Sequence, residues 1–418
     1  MNKFMHLATY SLLNRKNGAL LSIFTIAISV ALLLGVEQIR NQAKSSFANS
    51  ISGTDLIVGA RSGQINLLLY SIFRIGNATN DIDWQSYQDL KNHPAVSWTV
   101  PLSLGNSHQG SRVLGTNQDY FNFYQFAKKQ QLSFEQGKVF QQTFEAVIGA
   151  DVASSLGYQL DSPIVLARGI KDIGLNQREN LPFKVVGILA PTGTPVDKTV
   201  HVSLKAIEIL RLGDESTYLS QLFDAKTLDN TAFETKQITG FLVGLKSKIH
   251  TFRVQRQINE YHLEPLSAIV PSIALYELWG LMSVAEKALL MVSAVVVITG
   301  FLGMLTSLLT SLNERRREMA ILRALGARPR HIFSLLILEA GIICNLGILF
   351  GMGLLYLLLT LTSPFIYQAY GLVISASLPT PYEAMLVAVI QLSGLLTGII
   401  PALFAYRKSL NDGLTIRI

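Results

Sequence analysis

Four apolar stretches limit what this chain of 418 residues can fold into. They lie at 18–36, 289–312, 332–361 and 384–405. A helix needs about 20 apolar residues to cross a bilayer, and each stretch is of that order or longer. In hydrocarbon the backbone must satisfy its own hydrogen bonds, so such stretches can cross only as helices. The third is long enough to tilt or to project. Residues 37–288, between the first and second stretches, are far too many for a loop and must fold as one or two domains. The pattern predicts a polytopic α-helical membrane protein with four transmembrane helices. A large mixed α/β extracytoplasmic domain sits on a helical stalk between helices 1 and 2.

Charge sets the orientation. Charged residues make up 15% of the chain, against about 25% in soluble domains. The net charge of +7 does not point to nucleic acid, because many of the basic residues crowd the ends of the apolar stretches. Lys3, Arg15 and Lys16 precede the first, and Arg407, Lys408 and Arg417 follow the fourth. The segment 362–383 holds no Lys or Arg. The positive-inside rule then places both termini (1–17, with an amphipathic start, and 406–418) and the turn 313–331 in the cytoplasm. It places 37–288 and the short loop 362–383 outside. The first stretch is too long for a signal peptide and no clear small-x-small site follows it, so it reads as an uncleaved span.

The turn is dense and patterned. Arg315, Arg316 and Arg317 run together, and Arg323, Arg328 and Arg330 follow. Met319, Leu322, Ala324 and Leu325 recur between them at helical spacing. A basic helix with one apolar stripe, set between two spans, is suited to docking.

Outside the membrane, Val36, Ile39, Ala43, Phe47 and Ile51 continue the first helix at three- and four-residue spacing. Ile273, Leu275, Leu278, Leu281 and Met282 lead back into the second. Short strands are expected at 96–104, 112–115, 146–149, 183–189, 199–202 and 239–245. Helices are expected at 83–92, 151–157, with Asp151 as cap, and 204–212. Residues 191–195 form a turn cluster. The segment 59–74 opens with two glycines and turns apolar at Leu67, Leu68, Leu69, Tyr70, Ile72 and Phe73. It is either a buried core element or a flexible lip that touches lipid, lipidated cargo or a partner.

Catalytic signatures are absent from the sequence. It has no Walker-A motif and no H-E-x-x-H, C-x-x-C or G-x-S-x-G. Cys344, the lone cysteine, lies in an apolar run and reads as a small buried residue. The seven histidines are scattered, and no metal site is expected. Glu339, about two turns into the third span, is either interfacial, paired with a basic residue such as Arg323, or a hinge between turn and span. Gly347 and Gly351, with Gly353 nearby, would let another helix approach closely, as would Gly300 and Gly303. Gln391 is expected to bond to a neighbouring helix.

Several motifs together resemble the FtsX-like/MacB-type ABC transporter permeases, also called type VII or mechanotransmission permeases. One is the run from Arg317 and Glu318 through Arg323 to Gly326, followed by Glu339. Others are Gly398 to Pro401 with Arg407, residues 147–157, and residues 183–195. The resemblance covers nearly the whole chain; the segment 59–73 is associated with a less characterised branch. It implies that Arg317, Glu318, Met319, Leu322, Arg323, Leu325 and Gly326 form a coupling helix seated in an ATPase groove. It also implies packing roles for Gly347, Gly351, Gly398 and Pro401. The implied assembly pairs two permease copies, or one copy and a paralogue, with a cytoplasmic ABC ATPase dimer. ATP and Mg would bind the ATPase, with no cofactor on this non-catalytic chain. A periplasmic adaptor and an outer-membrane component are further implied partners, alongside the bilayer of a cell inner membrane.

The leading expectation is a permease subunit that transmits ATP-driven motion to a periplasmic domain, for efflux or for lipoprotein or lipid extraction. The alternatives are a regulator of cell-wall hydrolases and an ATPase-independent sensor or scaffold. Replacing Leu322 or Leu325 with aspartate should abolish co-purification of an ATPase; association that survives both changes would remove the coupling helix from this turn.

Overall fold

The computed structural model describes residues 16–127, 129–168, 182–215, 234–314, 328–370 and 379–411. The chain divides into two compact units. One comprises residues 1–42, 283–367 and 374–418, and the other residues 43–282 and 368–373. The first helix, α1 (Lys16–Asn49), contributes to both.

The second unit is built on a mixed sheet. Its elements begin with β1 (Leu56–Ala60), α2 (Gln64–Ser71), β2 (Ile82–Asp83), α3 (Trp84–Lys91), β3 (Val96–His108) and β4 (Ser111–Thr116). There follow α4 (Asp119–Phe123), β5 (Gln125–Phe126), β6 (Gln130–Gln131), β7 (Phe134–Gly137), β8 (Glu145–Ile148) and α5 (Ala150–Leu156). Next come β9 (Pro163–Ile164), β10 (Ala167–Arg168), β11 (Phe183–Leu189), β12 (Thr199–Ser203) and α6 (Leu204–Glu215). The last are β13 (Gln237–Ile238), β14 (Gly240–Leu245), α7 (Thr251–Asn259) and β15 (Leu266–Ile269). The strand order is β15-β1-β14-β3-β4-β12-β8-β11-β7. Two pairs, β4 with β12 and β8 with β11, are parallel.

One long strand joins the two halves of this sheet. Residues 96–102 of β3 pair with β14, and Ser103–His108 pair with β4. The register shifts between Leu104 and Asn106, where Gly105 takes a φ of 137° that a side chain would resist. The Thr239 hydroxyl closes the break, donating to the Leu102 carbonyl at 2.8 Å and accepting from the Leu104 amide at 3.1 Å. One apolar cluster then gathers around Phe241, Tyr87 and Val254, and another around Ile148, Phe183 and Val200. A third, holding Leu68, Leu102, Tyr120 and Leu242, takes residues from both halves of the sheet.

All six expected strands and all three expected helices are present, within a few residues of their expected ends. The α5 cap is corrected: Gly149 takes the N-cap position without a side-chain bond, and Asp151 lies in the first turn. A carboxylate there still suits the positive helix end. Strands β1 and β15 were not expected. Every residue of β1 is buried, so it shows no alternation to read.

Three further helices complete the first unit: α8 (Pro271–Glu314), α9 (Pro329–Tyr370) and α10 (Pro381–Asn411). With α1 they are, among the described residues, the four helices long and apolar enough to cross a membrane. Small residues set their spacing. A Cβ on Gly347 would lie 2.6 Å from Ile26 Cγ2, and one on Gly351 would lie 2.7 Å from the Ala27 carbonyl. These two glycines therefore let α9 lie directly against α1. Gly398 abuts Ala340, and Gly300 abuts the Ser29 hydroxyl, which donates to the Val296 carbonyl at 3.1 Å. Pro401 is buried inside α10. Gln391 Nε2 donates to the Gly341 carbonyl at 3.3 Å, joining α10 to α9. Gly303 makes no such approach, and neither does Gly353; both face open space.

This contrast gives an internal control. Gly351→Leu should overpack the α1–α9 seam and cost about 1–3 kcal/mol. Gly353→Leu should leave thermal stability in detergent within the error of wild type. Equal effects from the two substitutions would show that the seam does not limit stability.

Candidate functional site

The coupling residues Arg317, Glu318, Met319, Leu322, Arg323, Leu325 and Gly326 lie outside the described residues; their flanks are described. Leu312, Ile332, Leu336, Ala402 and Ala405 form one buried cluster, which packs the adjoining ends of α8, α9 and α10 together. At the start of α9, His331 Nδ1 accepts from the Arg328 amide at 3.1 Å.

Glu339 is 2% exposed and so packed among protein atoms. It helps line a cavity of about 780 Å³ between α1, α8 and α9, whose walls carry the hydroxyls of Ser22, Thr25, Thr306, Ser307 and Ser311. Glu339 also makes an interaction of its own within the chain.

The ends of α1 and α8 are clamped twice, by different physics. In the membrane unit, Arg40 pairs with Glu37 at 2.6 Å and with Glu286 on α8 at 3.8 Å. Asn41 donates to the same Glu37 oxygen at 3.0 Å, and Glu37 is 1% exposed. In the α/β unit the clamp is aromatic. The Phe47 ring lies 4.5 Å from that of Phe73 and meets Trp279 edge-on at 5.5 Å, while Lys44 Nζ stands 5.6 Å over Trp279. Ala274 and Leu275 enter the same buried cluster as Ile57 and Leu242. Ile273, Leu281 and Met282, grouped with them by spacing, are exposed. Neither clamp was anticipated; the i, i+3 spacing of Glu37 and Arg40 was the available signal.

The 59–74 segment is core, so the reading of Leu67, Leu68, Leu69, Tyr70, Ile72 and Phe73 as cargo or partner contacts is withdrawn. Leu67, Leu68, Tyr70, Ile72 and Phe73 are all buried, and Leu69 is half-buried against the same cluster. Gly59 makes the room: a Cβ there would lie 2.5 Å from Leu67 Cδ1. The Tyr70 hydroxyl donates to the Thr239 carbonyl at 3.3 Å, which fixes α2 to the sheet.

Among the described residues no group of His, Cys, Asp and Glu could hold a metal ion. Cys344 is buried on α9 beside Gly394. One titratable group stands out in the α/β unit. Burial pushes the His201 imidazole down to about 3, and the nearby Arg74 charge adds to this. Its Nδ1 faces the Val147 carbonyl at 3.3 Å, and its ring lies against Tyr120 and Phe121.

Two family models match the chain. The MacB-like periplasmic core domain family model matches residues 19–261, and the FtsX-like permease C-terminal model matches residues 290–410. The chain belongs to the FtsX/MacB-type permeases. A macrolide export ATP-binding/permease protein, MacB 1 of Yersinia pestis bv. Antiqua, is 24% identical over 346 residues, 79% of this chain and 47% of its own length. Its namesake in Photorhabdus laumondii is 23% identical over 371 residues, 85% of this chain and 52% of its own length. The chain thus spans about half the length of the curated relatives it matches. The solved periplasmic region of MacB from Actinobacillus actinomycetemcomitans overlaps 55% of this chain and 94% of its own at a TM-score of 0.34 and 9% identity.

The permease's α/β unit should be acid-sensitive through His201. The imidazole is neutral in the fold, whereas the unfolded chain takes up a proton below about pH 6.5. Unfolded chains then bind more protons, so stability falls as pH drops from about 6.5 towards 3, by up to about 1.4 kcal/mol per unit. Denaturant midpoints at neutral and mildly acid pH, compared between wild type and His201→Asn, should show the slope shrinking in the variant.

Proposed function

We propose that this permease is the membrane subunit of an ABC transporter. It carries motion from an ABC ATPase to the α/β unit on the far side of the membrane. The observation that supports this most is the pair of continuous helices, α1 and α8, each of which contributes residues to both units. Arg40 with Glu286 pairs them in one unit, and Phe47 with Trp279 pairs them in the other. At 1.5 Å rise per residue, a displacement at one end of such a helix is delivered at the other. In this reading 313–331 is the cytoplasmic coupling helix, its arginines meeting ATPase carboxylates or lipid headgroups. Glu339 is the hinge at its base. Two permease copies, or one copy and a paralogue, pair with two ATPase subunits, and both termini are cytoplasmic.

The cargo lies outside the cytoplasm, and export through an adaptor is the branch we favour. Two points support it. The relatives' names pair ATP binding with macrolide export. The apolar run that suggested a lipidic cargo is buried in the core.

The test is affinity purification of the tagged full-length chain from its native membrane, followed by mass spectrometry. A P-loop ATPase together with an adaptor is the expected result. Lipoproteins in place of the adaptor would move the assignment to extraction, and a wall hydrolase to division-type regulation. Recovery of the intact chain without any ATPase would overturn the permease reading in favour of a sensor or scaffold.

A further inference from the structure

We infer that the α/β unit contains a binding site for a small oxyanion, a carboxylate or a phosphate group. The site is a cavity of about 280 Å³ where the end of the 59–74 segment meets the register break of β3. Its walls include Arg74, Asn77, Asp81, Arg112, Tyr70 and Thr239.

The charge balance carries the argument. Arg74 is 8% exposed, and its guanidinium is held only by neutral oxygens. One terminal nitrogen donates to the Ser71 carbonyl and the other to the Tyr120 hydroxyl at 3.4 Å. Its Nε is buried with no partner. Arg112, half-buried on β4, likewise donates to neutral acceptors: Asn77 Oδ1 at 3.2 Å and the Gly76 carbonyl at 2.8 Å. The carboxylate on the wall, Asp81, is already paired with Arg211 at 3.0 Å. Among the described residues, neither Arg74 nor Arg112 has a carboxylate within ion-pair distance. Two guanidiniums on one cavity thus lack a counter-charge, and burial, with the nearby Arg74 charge adding to it, pulls the Arg112 pKa down. Burying positive charge without an anion is costly. Guanidinium forks match the planar oxygens of carboxylate and phosphate, often through paired hydrogen bonds.

The backbone is shaped for this placement. Arg74 takes a left-handed φ of 60°, unusual for a residue with a long side chain. Gly105, which also lines the cavity, has nothing within 4 Å of a notional Cβ, so the break in β3 leaves open space there. The volume is that of roughly nine liquid waters, at about 30 Å³ each. It fits a compact headgroup or chain terminus rather than a drug-sized molecule, which commonly needs about 300–1,000 Å³. The oxyanion has two natural sources, a phosphate headgroup and the C-terminal carboxylate of a peptide.

Calorimetric titration of the full-length permease in lipid nanodiscs tests the site, with inorganic phosphate, glycerol 3-phosphate and N-acetylalanine as probes at constant ionic strength. Saturable binding is expected for at least one probe, weakened about tenfold or more in Arg112→Ala, a half-exposed position that should fold. Arg74→Lys should weaken it similarly, whereas Lys246→Ala, on the edge beside Pro94, should not. Preference for glycerol 3-phosphate assigns a headgroup, and preference for N-acetylalanine assigns a peptide terminus. No saturable binding of any probe, or binding that Arg112→Ala leaves unchanged, overturns the inference. Loss of binding in Arg112→Ala counts only where its thermal unfolding matches wild type without probe; otherwise Arg112→Lys, which keeps the charge but loses the fork, must still weaken binding for the site to stand.

Discussion

The seam between α1 and α9 is the contact on which the membrane unit depends. Hydrocarbon offers helices no hydrophobic drive to associate, so close approach and local polar bonds must hold them together. Gly347 and Gly351 provide the approach by letting the α1 backbone sit where side chains would otherwise stand. α1 is accordingly the most buried of the four spans, at 50%, against 17% for α8. The unit is therefore organised around its first helix, with α8 attached by the Ser29–Val296 bond, the Arg40–Glu286 pair and the buried Met304 and Leu308.

α8 is thus sparsely covered along the middle of its span, while residues near both of its ends enter buried clusters. Its apolar face stays largely uncovered within the unit, while Trp279, Leu275 and Ala274 sit in or against the largest cluster of the α/β unit. A helix anchored near its ends and sparsely covered between them can shift at its middle with the loss of few buried contacts. This is the physical ground on which the proposed transmission of motion rests. The polar clamp at Glu37, Arg40 and Glu286 suits such movement better than the aromatic one. Ion pairs tolerate small changes of distance, whereas close-packed rings lose contact within a fraction of an ångström.

Much of this arrangement was legible in the sequence, for reasons that can be stated residue by residue. The spans follow from length and apolarity, and strands such as 183–189 from β-branched runs between turn residues. The glycine pair of α9 was readable because backbone contact demands small residues. What escaped was whatever depends on partners distant in sequence. β1 is uniformly apolar and could have been a helix. The run Leu67–Phe73 could be read either as core or as an exposed lip, and the space above Gly59 helps it pack as core. The turn at 313–331 was the most patterned feature of the sequence, and its central residues lie outside the described ones.

The same distinction separates the two kinds of buried charge. Glu37 is answered within the chain by Arg40 and Asn41, and such groups serve local structure. Arg74 and Arg112 are answered only by neutral oxygens. A fold selected for stability alone would place apolar side chains on that wall, since replacing buried charge by well-packed hydrophobes is often neutral or stabilising. Arg74 instead sits in a left-handed conformation at the end of α2, held in place by the same segment that closes the core. The cost of keeping it there is offset if an anion completes the cluster. Because α2 and the Trp279 end of α8 share that core, occupancy of the cavity and the position of α8 would be linked through the Phe73–Phe47–Trp279 contacts.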